Sequence, residues 1–527
     1  MKSQKNKTAF FLLVSFLLGS ISVFAQQSNN NDCERIPVRI TLLHVNDVYQ
    51  FVPVQGGTRG GLARLMTLRK QAVKENPNTL FLMGGDTVSP SVESITYKGA
   101  QMIDAWNTVG LDYAVLGNHE FDFGAEVLQQ RMKESKFVWL GANVLDKTTG
   151  KIFANTPPFV IREFGGVKVG IIGLVLPETQ TTSKPGANVQ FTGFCETAKR
   201  IVPEIRKQGA NVVVGLTHLS MAEDKELARC AEFDLILGGH EHTLLQSSSN
   251  GTPIFKMTAD AREMGKFNLN INRQTGKLES LDWEIIPVNQ SIPDAPEFAA
   301  ITDKYKDLIA KLSVKVGETG VRLNALSEDN RQRETNVGNF VGDAFRAATG
   351  ADAALVNGGS VRADLNFEPG VLTERDVLSI LPFGNEVVKI EISGAVLRQA
   401  LEHGVARSAE DNEPGRFPQV SGIRYAFDAS KPAGSRITEV SINGKPLEGQ
   451  RTYTLALTKY IQEGGDGYEV FKNAKILTPP GQARKDNEIL RAAIAAAKTP
   501  ITPQVEGRIR RLDTKRDESS LNCPTVK

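Results

Sequence analysis

From residue 39 onward, apolar residues fall into two alternating patterns. Largely apolar runs at 39–44, 79–83, 113–116, 167–174, 211–216 and 233–237 predict strands. Between several of them apolar residues recur every three or four positions, as at 62–74 and 198–208, which predicts helices. Strand, loop and helix in succession predict an α/β fold. A proline-rich tract at 286–296 breaks this rhythm. Beyond it Phe298, Ile301, Tyr305, Leu308 and Leu312 form one apolar stripe on a helix over 297–314, which reads as a connector. Past residue 331 helices at 337–348 and 394–405 mix with strands at 387–392, 437–442 and 453–457, and Asn443-Gly444 suits a two-residue hairpin turn. This half is expected to be α+β with a mixed sheet.

A chain of 527 residues exceeds what one core supports, so two domains are expected. Lys2, Lys5 and Lys7, an apolar stretch over 9–24 and Val23-Phe24-Ala25 together read as a secretory signal removed after Ala25. The apolar stretch is shorter than the roughly 20 residues that span a bilayer, and the segment from Leu512 is polar. The expected product is secreted or periplasmic, without a stable membrane anchor. The expected layout is a signal at 1–25, domains at 36–295 and 326–512, a connector at 296–325 and a polar tail at 513–527.

Losing the signal removes three lysines and leaves 59 basic against 60 acidic residues, a net charge of about minus one. A nucleic-acid polymer, which needs a concentrated basic face, is therefore not an expected partner. Cys33, Cys195, Cys230 and Cys523 include no C-x-x-C pair, and export permits disulfides. Cys195 and Cys230, on predicted helices flanking one strand, are the favoured pair. Cys33 with Cys523 would tie the termini, and spacing alone does not settle the pairing.

The ionisable residues matter because of where they fall. Asp47, Asp86, Asn118 with His119, His218, and His240 with His242 each follow an apolar run. In an open α/β sheet ligands gather beyond the carboxyl ends of the strands, so five such placements point to one crevice. Carboxylates and imidazoles together suit hard or borderline divalent ions, and a carboxylate such as Asp86 can bridge two of them. His240 and His242 are two residues apart, which excludes a helical H-E-x-x-H zinc site. His44 has an odd offset from Asp47 and is expected to pack on the opposite face. Asp122, three residues past His119, can accept its ring proton and fix the tautomer.

Leu43-His44-Val45-Asn46-Asp47, Gly84-Gly85-Asp86, Gly117-Asn118-His119-Glu120-Phe121-Asp122, Thr217-His218 and Gly238-Gly239-His240-Glu241-His242 resemble the calcineurin-like metallophosphoesterases, and within them the exported 5'-nucleotidase and UDP-sugar hydrolase family. The resemblance implies a four-layer α/β/β/α domain followed by an α+β substrate-binding domain. It implies two divalent metal ions, zinc, manganese or cobalt, one held by Asp47, Asp86 and His242, the other by Asp86, Asn118, His218 and His240. It gives His119 and Asp122 the acid role; Glu120, left without a part in this division, is expected to be a structural neighbour. The family has a histidine where this chain has Tyr49, whose phenol either ligates the first ion or lines the pocket.

Downstream, 334–339, 357–362, 381–384 and 464–468 resemble the C-terminal domain of the same family. By that resemblance Phe383 and Tyr460 sandwich a nucleobase, Arg331, Asn357 and Arg362 contact substrate, and Asp466 accepts from ribose. Independently, Asn336 is expected to cap a helix. His403 is expected in a last helical turn ended by Gly404. The activity implied is hydrolysis of nucleoside 5'-monophosphates or UDP-sugars, with a small-molecule nucleotide as the partner. A 2',3'-cyclic-nucleotide phosphodiesterase or a sugar-phosphate phosphatase shares the fold. Tyr49 would also suit a nucleotide-binding protein with impaired catalysis.

Overall fold

A computed structural model of the chain describes residues 37–55, 57–312, 314–408 and 414–513. The expected signal, Cys33 and Cys523 lie outside the described residues.

The first half is built on two six-stranded sheets packed face to face. One runs Leu278–Pro287, Glu263–Ile271, Val38–Val45, Thr79–Met83, Tyr113–Val115, Val138–Leu140, and its last four strands are parallel. The other runs Leu245–Ser249, Thr252–Lys256, Leu235–Gly238, Val212–His218, Val167–Val175, Phe159–Phe164, with a parallel centre and antiparallel edges. Because side chains alternate along a strand, each strand feeds two cores. Ile40, Leu42, Leu82 and Val115 meet Val169, Val214, Leu237 and Phe255 between the sheets. Leu43, Val45, Phe81 and Met83 face outward onto Leu65, Met102 and Trp106 of the covering helices. On the far side Ile201 and Ile205 of the helix Phe194–Lys207 cover the second sheet. This is the expected α/β/β/α order, and it explains the largely apolar central strands: most of their positions meet no water on either face.

Some elements escape the sequence pattern. The strands Leu245–Ser249, Glu263–Ile271 and Leu278–Pro287 lie at or near sheet edges, where solvent-facing positions take Gln, Ser, Lys and Glu and blur the apolar signal. The stripe on 297–314 is a helix, Ala299–Leu312, after a short 3-10 turn at Pro296–Phe298. It packs on the first half: the Tyr305 ring lies 4.8 Å from Tyr97 and 5.8 Å from Phe51, and its hydroxyl donates to Asp104 at 2.5 Å. Cys195 and Cys230 form the favoured disulfide, joining two helices that flank the strand Val212–His218.

In the second half a mixed sheet runs Pro418–Ser421, Ala353–Asn357, Thr452–Thr458, Glu386–Ser393, Lys475–Ile476, with Arg484–Lys485 also pairing the fourth of these. Its faces are covered differently. Ala354, Val356 and Ala456 meet Val341 and Phe345 of the helix Asn336–Thr349, whereas Leu355 and Leu457 meet Leu397 and Leu401 of the helix Gly394–Gly404. Asn443 and Gly444, at φ 49° and 77°, make the expected tight turn after Ile437–Ile442.

Two local expectations are corrected. The cap of Asn336–Thr349 is Thr335, whose side chain accepts from Gly338 N. Asn336 is already helical, and its amide group bonds Asn324 N and Arg322 O instead. Gly404 is the last helical residue and Val405 the cap. His403 is explained by a bond, its Nε2 donating to Asp466 O at 2.8 Å, so it braces the turn that carries Asp466.

Candidate active site

The parallel strands of both sheets end on one side, and the loops leaving them meet there. Three loop residues take left-handed backbone: Asp47 at φ 52°, Asp86 at 61° and His240 at 83°. Non-glycine residues rarely sit there, and such strain clusters at functional sites. Crowding demands glycine alongside: a Cβ on Gly239 would lie 2.1 Å from Gly84 O, and one on Gly85 would lie 2.5 Å from His218 Nδ1.

The residues singled out in the first half converge. Donor atoms of Asp47, Asp86 and His218 all lie within 4.8 Å of one another. His218 Nε2 is 3.2 Å from both Asp86 Oδ2 and Asn118 Oδ1, while its Nδ1 donates to Gly84 O at 2.8 Å and so turns Nε2 toward the carboxylates. His242 Nε2 is 3.5 Å from Asp47 Oδ1. The His240 ring stands 5.3 Å from that of His218, and its backbone N donates to Asp47 Oδ2 at 2.9 Å. His119 Nδ1 meets Asp122 Oδ2 at 2.7 Å, which leaves Nε2 facing Asp86 Oδ2 at 3.9 Å. Ser183 donates to the other Asp122 oxygen at 2.8 Å.

Tyr49 sits in the middle. Its hydroxyl is 3.0 Å from Asp47 Oδ1 and from His242 Nε2, 3.4 Å from Asp86 Oδ2, and accepts from Arg362 at 2.9 Å. Arg362 also lies over the Tyr49 ring, 5.2 Å from its centroid. At Tyr49 the second half thus reaches this cluster through the Arg362 guanidinium.

Two buried carboxylates facing each other call for positive charge. Burial raises the pKa of Asp47, but His218 and His242 outweigh it and hold the carboxyl well below the usual range. Burial likewise disfavours a charged His218, yet Asp86 and Asp47 lift its pKa to about 10. The donor set of two carboxylates, an amide and three imidazoles fits divalent cations.

Glu120 is structural, as expected: its carboxylate accepts from the backbone N–H groups of Asp86, Thr87, Val88 and Gly117, tying two loops together. His44 lies between the sheets, donates to Gly238 O at 3.0 Å, and is driven by burial to a pKa of about 4. Asp260 escapes sequence reading. It accepts from Tyr49 N at 3.0 Å and Gln50 N at 3.2 Å, and its own N donates to Asp47 O at 2.9 Å, so it shapes the Asp47 loop. Only a polar break between two strands marks it.

A cleft of about 330 Å³ opens from this cluster and is lined by Arg331, Asn357, Arg362, Phe383, Tyr460 and Asp466, all singled out in the second half. Phe383 stacks on the His119 ring at 5.8 Å, with 20° between planes. Asp466, at φ 52°, accepts from Asn357 at 2.7 Å and from the Tyr460 hydroxyl at 2.8 Å.

A two-sheet sandwich whose strand ends gather this donor set beside a substrate-sized cleft is the architecture of a phosphoric ester hydrolase. Residues 40–244 match the calcineurin-like phosphoesterase family, and residues 310–473 match the 5'-nucleotidase C-terminal domain. The chain belongs to the 5'-nucleotidase family, which combines these two parts. It is 31% identical over 95% of its length to Protein 5NUC of Lutzomyia longipalpis, of which it covers 97%. It is 30% identical over 91% of its length to the trifunctional nucleotide phosphoesterase protein YfkN of Bacillus subtilis, but spans only 36% of that protein. The crystal structure of the 5'-nucleotidase precursor from Thermus thermophilus superposes with a TM-score of 0.84 at 30% identity, covering 91% of this chain and 100% of that one. The family implies divalent metal ions. Among the described residues no helix is long and apolar enough to cross a membrane.

Proposed function

We propose that the chain is an exported two-metal nucleotidase that hydrolyses nucleoside 5'-monophosphates to nucleoside and phosphate. The observation that carries this is the meeting of Asp47, Asp86, Asn118, His218, His240 and His242 beside the bonded pair His119 and Asp122. In this reading Asp47, Asp86 and His242 hold one ion and Asp86, Asn118, His218 and His240 the other, zinc, manganese or cobalt in either place. When bound, such ions supply Lewis acidity and activate a water for attack on phosphorus.

The chain's own residues do the rest. Arg362 and Arg331 bind the phosphate, for which guanidinium forks are suited. His119 Nε2, directed into the site by the Asp122 bond, holds a proton for the leaving oxygen, help worth roughly a hundred- to ten-thousandfold. Phe383 and Tyr460 grip the base, and Asp466 and Asn357 hold the ribose. Domains at 36–295 and 326–512 joined through 296–325, and export through the segment ending at Ala25, belong to the same proposal.

A phosphate-release panel tests it, using mono-, di-, cyclic and sugar nucleotides and sugar phosphates with zinc, manganese, cobalt and magnesium. Nucleoside 5'-monophosphates are expected to turn over fastest. A preference for sugar phosphates, unaffected by alanine at Phe383 and Tyr460, would sink the nucleotide reading.

A further inference from the structure

Behind the imidazole loops lies a buried cation that the proposed chemistry leaves unused. Lys256 ends the strand Thr252–Lys256 and is fully buried, a position costly for an ammonium unless it is paired. Its Nζ donates to Leu219 O, to Gly239 O at 2.9 Å and to the Glu241 carboxylate, and lies 3.0 Å from Asp224 Oδ2. Burial pulls the lysine pKa down, but Asp224 and Glu241 outweigh it and raise it, so the group stays charged.

Its partners belong to two loops. Leu219 directly follows His218, and Asp224 Oδ1 accepts from the hydroxyl of Thr217, the residue before it, at 2.7 Å. Gly239 and Glu241 flank His240, and Glu241 also precedes His242. Glu241 Oε1 accepts from Met221 N at 2.6 Å, which closes a ring of contacts between the two loops. Lys256 is thus the knot between the strand end bearing His218 and the turn bearing His240 and His242.

We propose that Lys256 is a positioning residue for hydrolysis: it fixes His218 against His240 and thereby sets the affinity of the ion these two share. The inference rests on the two-ion reading above. A lysine placed only to fill the core would affect unfolding alone. A positioning lysine affects one ion selectively, because groups that orient ligands are typically worth ten- to a hundredfold in metal affinity or activity.

The test is equilibrium dialysis of the full chain against manganese, with parallel thermal melts and kinetics, for wild type, Lys256→Met, Lys256→Arg and Glu241→Gln. Folded Lys256→Met and Glu241→Gln should bind one ion as wild type does and the other ten- to a hundredfold more weakly. At limiting manganese kcat should fall in step while KM for the nucleotide changes less than twofold, and excess manganese should restore kcat. Lys256→Arg should recover part of the affinity. If Lys256→Met does not fold, Glu241→Gln decides by the same criteria. Variants that bind both ions as wild type does, or that lose only melting temperature, overturn the inference while the two-ion reading stands. A wild-type chain holding fewer than two ions overturns both.

Discussion

His119 and Asp122 are three residues apart in a short 3-10 turn, so the carboxylate can meet only the ring nitrogen turned away from the ligands. The proposed division of labour with the neighbouring Asn118 predicts different failures. His119→Ala should keep both ions in dialysis yet lose roughly a hundredfold or more in kcat, the usual scale of general acid help. Asn118→Ala should instead weaken one ion. Tyr49→Phe removes the acceptor that holds Arg362 against the site at 2.9 Å. Its KM for nucleotide should rise roughly tenfold, the scale of one lost charge-assisted bond, with both ions kept; loss of an ion instead would make the phenol a ligand. At this scale the legible residues were those whose position after a strand said something. Asp47, Asp86, His218 and His242 follow apolar runs and meet as that placement predicts. Lys256 and Asp260 act through contacts with residues far along the chain, and neither period nor spacing encodes those.

Elements supply two predictions about stability. Asp486 opens the helix Asp486–Ala495 fully buried, with Oδ1 bonded to Asn487 N and, among the described residues, no hydrogen-bond partner for Oδ2. Burial raises its pKa from 3.8 to about 7. A carboxyl whose folded pKa is raised contributes stability that is complete below the unfolded value and lost as pH climbs through the folded one. Asp486→Asn should therefore match wild type in urea unfolding near pH 4 and exceed it at pH 8, by up to ~4 kcal/mol. Equal curves at both pH values would contradict the assignment. The disulfide Cys195–Cys230 closes a loop of 35 residues on two helices covering the second sheet. Replacing both cysteines by serine should lower unfolding stability by roughly 2 to 4 kcal/mol and leave kcat at 25 °C unchanged. Elements buried on both faces were legible from their largely apolar runs, and the favoured cysteine pair followed from them. Edge strands were not, because a strand with one wet face and a bulge, as between Asn270 and Ile271, loses its clean period.

The two halves touch at charged points: Arg262 with Asp364 at 2.8 Å, Arg375 with Glu93 at 2.9 Å, and Arg362 with Tyr49. Tyr460 adds a bond to Thr181 O at 3.1 Å. Beside the stack of Phe383 on His119 these contacts are polar, and polar contacts of this kind permit relative motion. A bifunctional cross-link between the halves is expected to spare hydrolysis of a small artificial phosphate ester and to stop turnover of nucleotides, since the proposal gives the base to the second half and the metal ions to the first. Unchanged nucleotide turnover would remove any need for opening. The change of pattern near residue 331 reads as a division into two halves, but the contacts between them were not legible, since each depends on how folded surfaces face one another.

The helix Ala299–Leu312 has a consequence for anyone who would separate the molecule into pieces. A cut in the proline-rich tract, where the chain reads as divisible, would strip Phe298 and Tyr305 from Phe51 and Tyr97 and leave an aromatic patch in water. A fragment ending at residue 312 carries its own lid and should stay monomeric where one ending at 295 clumps.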